Sequence, residues 1–158
     1  MRAFELWAGL SKELNHEIFE AACLNEKRLY RHAVEELSEG LRRRPQVVLE
    51  LPRAARHELF QPLMGLRQFD TLGFNLVINW LRKKYEPLLV RFMDGVGAEH
   101  DGHGCAEVFP QKVPAAKLER ACQSLYEQFP EEAVTFYLRL FSNITGTDWG
   151  VEQFVKTA

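Results

Sequence analysis

The sequence predicts an all-α protein: a single helical domain over residues 1–158, a bundle of about six to eight helices. Three observations carry this expectation. Apolar residues recur at three- and four-residue spacing along most of the chain, and prolines fall where helices would start or stop. Runs with strand character find no partner run to pair with. The exception is one long interval, 94–113, rich in Gly and His and without helical pattern.

Taken in order, Phe4, Trp7 and Leu10 share a helical face, and Ser11 can cap a following helix through Leu14, Ile18 and Ala22 or Cys23. His16 in that helix stands among Glu13, Glu17 and Glu20, which reads as a solvated face. Asn25 is expected to cap a strongly amphipathic helix reaching about Arg44, with Leu29, Ala33, Leu37 and Leu41 on its inner side and Pro45 as its stop. Arg42, Arg43 and Arg44 would then sit at the negative end of that helix. Residues 46–51 are short enough to be a strand or one helical turn, and the lack of a partner favours helix. Pro52 suits the start of a helix with Leu59, Phe60 and Leu63, ending at Gly65.

The most hydrophobic stretch opens at Asp70 or Thr71 and runs to Tyr85. Leu72, Phe74, Leu76, Val77, Ile78, Trp80 and Leu81 occupy nearly its whole circumference, so it is expected at the centre of the fold. Asn75 and Asn79 would form a polar bridge inside it. Pro87 either kinks this helix or begins the next, which carries Leu88, Leu89, Phe92 and Met93 and ends at Gly95 or Gly97. Beyond the long interval, 114–158 reads as a helical hairpin plus a final helix. Pro114 starts a stripe of Leu118, Cys122, Leu125, Tyr126 and Phe129, and Pro130 with Glu131 and Glu132 starts its antiparallel partner. Thr147 can cap a last helix with Trp149, Val151 and Phe154.

Composition bounds the function. A chain of 158 residues, 46% hydrophobic and 27% charged, is globular and needs no metal or disulfide to hold a core. Three widely spaced cysteines argue against a disulfide framework, and no apolar run is long enough for a membrane span, so a cytoplasmic protein is expected. Net charge is −2 but unevenly placed: residues 1–26 carry 2 basic and 5 acidic groups, 27–93 carry 13 and 7, and 94–158 carry 5 and 10. The basic middle admits nucleic-acid binding, yet its aromatics look buried and the sequence pI near 6.2 speaks against it. The common nucleotide, zinc-protease and serine-hydrolase signatures are absent.

Compact domains seldom carry loops beyond about 12 to 15 residues without a reason, so 94–113 is where chemistry would be sought first. His100, Asp101, His103 and Cys105 offer two imidazoles, a carboxylate and a thiol within six positions, a donor set suited to zinc or another divalent metal. Zinc sites usually draw ligand pairs from two pieces of chain, so Glu99, Glu107, His32 or His57 would have to complete the shell. The competing reading is conformational, with Asp101-Gly102 turning a small β-hairpin flap. A Cys105 nucleophile with a His103 base lacks a nameable orienting group. No catalytic constellation stands out. The expectation is therefore a noncatalytic module that binds a protein partner or itself without a cofactor, with metal binding through the loop as the alternative.

Overall fold

The computed structural model describes residues 1–156. Among them are nine α-helices and two 3-10 turns, with no strand. The all-α expectation holds, with nine α-helices among the described residues where about six to eight were expected; the two short stretches read as helical, near 4–10 and at 46–51, form the one-turn helices α1 and α4. No helix among the described residues is long and apolar enough to cross a membrane. The chain divides into two compact units, Met1–Lys83 and a second that begins at Lys84.

The first unit contains α1 (Ala3–Trp7), α2 (Lys12–Asn25), α3 (Lys27–Gly40), α4 (Pro45–Leu49), α5 (Arg53–Met64) and α6 (Asp70–Lys84). Ser11 caps α2 as expected, its Oγ accepting the Leu14 N–H at 3.2 Å. Asn25 does not cap α3. It is the last residue of α2 and its amide turns back to the Ala21 carbonyl, while Glu26 stands at the start of α3 without a side-chain cap. α3 also stops at Gly40, short of Pro45, because Arg42 turns the chain with φ 56°, a left-handed conformation that no helix can contain. The arginine triplet thus lies beyond the helix end, exposed, in the link to α4.

Packing in this unit concentrates on α2 and α5, with α3 and α4 laid against them. Ile18, Phe19, Leu37, Phe60 and Met64 are fully buried there. α6 buries Leu72, Gly73, Leu76, Val77, Trp80 and Leu81 and is tied to α1 and α2 by hydrogen bonds: Asp70 accepts the Phe4 N–H at 3.2 Å, the Trp7 indole donates to the Gly73 carbonyl at 3.2 Å, and the Trp80 indole donates to Glu17 at 2.8 Å. Its apolar coverage is incomplete, since Phe74 and Ile78 are half-buried and Asn75 is exposed, so no Asn75–Asn79 bridge forms. Hydropathy around a whole helix reports how little water it sees, and carries no information on which neighbour covers it.

The second unit contains α7 (Glu86–Val96), α8 (Ala115–Gln128) and α9 (Glu131–Thr145). Pro114 and Pro130 each stand just before a helix start, and Pro87 is the second residue of α7. α8 packs mainly against α7 rather than α9, although only Phe129 and Pro130 separate α8 from α9. The core is aromatic: the Phe92, Tyr137 and Phe141 rings meet edge to face with centroids 5.2 to 5.8 Å apart. The final helix expected from Thr147 is only a 3-10 turn, Val151–Phe154. Trp149 explains the difference, because its ring packs against Phe109 and Phe141 and its indole donates to the Pro110 carbonyl at 3.0 Å, anchoring this end to the long loop instead of to a helical stripe.

Candidate functional site

The loop that follows α7 is pinned back onto that helix. Asp101 is its organiser: Oδ1 accepts the backbone N–H groups of His103 at 2.8 Å and Cys105 at 3.2 Å, and its own N–H donates to the Cys105 carbonyl. Those donated hydrogen bonds, led by that from His103, hold the Asp101 carboxyl below the usual carboxylate range. The hairpin flap is not formed, because the backbone groups a ladder would need are spent on this side-chain-capped turn. Gly104 lies flat on α7, with φ 82° and a position where a Cβ would stand 2.4 Å from the Leu89 Cβ.

Each loop histidine meets an acid of α7. His103 Nδ1 lies 2.9 Å from Glu86 Oε1, an exposed pair that raises the imidazole pKa above its ordinary value. His100 Nε2 lies 2.8 Å from Asp94 Oδ1. Its Nδ1 accepts the Gly102 N–H at 3.1 Å, so the ring proton is on Nε2 and both nitrogens are engaged. Metal ligation by His100 would require giving up one of these bonds. Among the described residues no three His, Cys, Asp or Glu side chains are placed to share one metal ion. Of the histidines that could complete a shell, His32 pairs with Glu36 at 3.5 Å and His57 lies in the core of the first unit. Glu86 is the orienting carboxylate for His103 that sequence could not name. Even so, no hydrogen bond joins Cys105 to that imidazole, and Cys122 is buried with its thiol pushed up to about 12.

The first unit holds a site that sequence reasoning missed. A cavity of about 380 Å³ opens between α3 and α4, with Cys23, Lys27, Tyr30, Arg31, Val34, Glu35, Pro45, Gln46 and Leu49 around it. Tyr30 and Val34 are its buried wall, and Leu49 on α4 is an apolar lip, 48% exposed. Behind Tyr30 runs a buried polar chain. Arg56 donates to the Tyr30 hydroxyl at 2.8 Å and to the carbonyls of Leu49 and Leu51 at 2.9 and 3.0 Å. The hydroxyl lies 2.7 Å from His57 Nε2, and His57 Nδ1 lies 2.8 Å from His16 Nδ1.

His57 is fully buried and stacks on Phe19, and its pKa falls to about 3, chiefly through burial and then through the neighbouring His16 and Arg56. A neutral imidazole has one proton, so the chain runs either from Tyr30 through His57 toward His16 or in reverse. The Tyr30 hydroxyl pKa is raised, since burial outweighs the nearby guanidinium. His16, expected on a solvated face, is therefore half inside, facing α5. The signal for this site lay in α5, where Arg56 and His57 occupy the same stripe as the buried Phe60 and Met64. Polar residues at core positions of an amphipathic stripe announce a buried network. Comparison with family models, with curated proteins and with solved structures found no match for the chain.

Proposed function

We propose that this is a noncatalytic binding protein whose α3–α4 groove receives an apolar side chain of a partner protein. The observation that carries the reading is the groove itself: a concave wall of Tyr30 and Val34 closed on one side by exposed Leu49, with exposed Val47 on the same short helix. Apolar side chains left half in water beside a cavity of ligand size are the usual mark of a contact surface. The polar groups behind the wall are tied to one another by hydrogen bonds, which holds the wall in one shape before a partner arrives. Such preorganisation favours affinity by reducing the ordering that binding requires.

Random dodecapeptides displayed on phage and selected on the full-length protein provide the test. Peptides that bind through the groove should lose affinity by at least about tenfold against Leu49→Glu, the effect of trading one buried apolar side chain for a charge. Leu49 is exposed, so the variant should fold, which circular dichroism verifies. Failure to select any Leu49-dependent peptide would overturn the reading. The rival, metal capture by His100, His103 and Cys105, predicts a stoichiometric transition metal in protein purified without a histidine tag, lost in the His100→Ala/His103→Ala variant.

A further inference from the structure

We infer, building on the groove reading above, that the docked segment is acidic: it carries an Asp or Glu side chain beside the apolar one. The groove region holds positive charge that the protein leaves unanswered. Arg56 is only 7% exposed, yet no carboxylate reaches its guanidinium, and its Nε is buried without a partner. A buried ion lacking a counter-charge is costly, and carbonyl dipoles and a phenol offset only part of that cost. Two of its acceptors, the Tyr30 hydroxyl and the Leu49 carbonyl, belong to residues that line the groove, so its field falls on the groove through low-dielectric material.

The rim repeats the sign. Lys27 and Arg31 stand one helical turn apart on α3, both exposed, both lining the groove, and neither forms an ion pair among the described residues. Glu35, one turn further, is the acid among the lining residues, and it too is unpaired. Arg43 and Arg44 extend the basic character up to the first residue of α4. Two rim cations, a buried guanidinium and one acid leave a surplus that a carboxylate would meet. A nucleic acid fits less well, because single strands seek exposed aromatic faces and the ring in the groove, Tyr30, is 8% exposed.

The peptides selected above also decide this point. Affinity is measured by fluorescence anisotropy at low and high salt for the wild type, Lys27→Glu/Arg31→Glu and Glu35→Gln, all changes at exposed positions. Selected peptides should pair Asp or Glu with Leu, Ile or Phe. Their affinity should fall about tenfold on the double charge reversal, rise severalfold on Glu35→Gln, and weaken with salt. Peptides that need Leu49 but are neutral or basic, or ignore the charge reversal, would sink the inference and leave the groove reading standing. Absence of Leu49-dependent peptides would remove both. Self-association abolished by Leu49→Glu would assign the groove to a second copy of the chain and overturn the acidic-segment inference.

Discussion

At the scale of single residues, the histidines divide by surroundings. His103 is out in solvent beside Glu86, and a neighbouring carboxylate favours its charged form. In an NMR titration its imidazole should titrate above the ordinary histidine value, and Glu86→Gln should bring it back; no change on that substitution would mean the pair does not persist in solution. His57 is the opposite case, shut away from water and kept neutral. The sequence separates them only through spacing, since His57 shares the stripe of Phe60 and Met64 while His103 lies outside any helical pattern. His16 shows the limit of that signal: it is ringed by acids in sequence, but the face it shares with Asn15 is turned to α5, where Asn15 donates to the His57 carbonyl at 2.9 Å. Periodicity assigns faces by apolar content and so misplaces a polar residue whose partner is another polar residue from a different helix.

At the scale of elements, boundaries were legible where the chemistry is local. Ser11, Pro52, Pro87, Pro114 and Pro130 mark helix starts because a cap or a missing N–H acts within one turn. Pairings were illegible because they depend on residues far apart, so α8 was expected against α9 where it packs mainly against α7. The loop of the second unit was visible as an interruption of pattern, and its glycines are separable by experiment. Gly102 has φ 89° with nothing near its Cβ position, so Gly102→Ala should cost only the left-handed strain, about 1 kcal/mol. Gly104 meets both that strain and the α7 backbone, so Gly104→Ala should cost at least about 2 kcal/mol in urea denaturation. Equal costs would show that the loop does not rest on α7.

For the whole molecule, the two histidines bend the stability curve in opposite directions. The buried His57 titrates at about 3 when folded and near 6.5 when unfolded, so the unfolded chain binds the extra proton between those values. Stability from this group is complete above pH 6.5 and is lost as pH falls toward 3, at up to about 1.4 kcal/mol per pH unit. For His103 the folded pKa is the higher one. Its contribution is complete below 6.5 and fades as pH rises through the raised value, a small loss because the pair is exposed. Urea midpoints measured across pH should show His57→Gln flattening the acid limb and Glu86→Gln flattening the shallower alkaline one. The buried imidazole behind Tyr30 thereby does a second job. It places a proton-sensitive fault directly beneath the groove: the acid that charges His57 in the folded protein, near pH 3, also neutralises an Asp or Glu of the docked segment, so the seat and the attraction that fills it fail together.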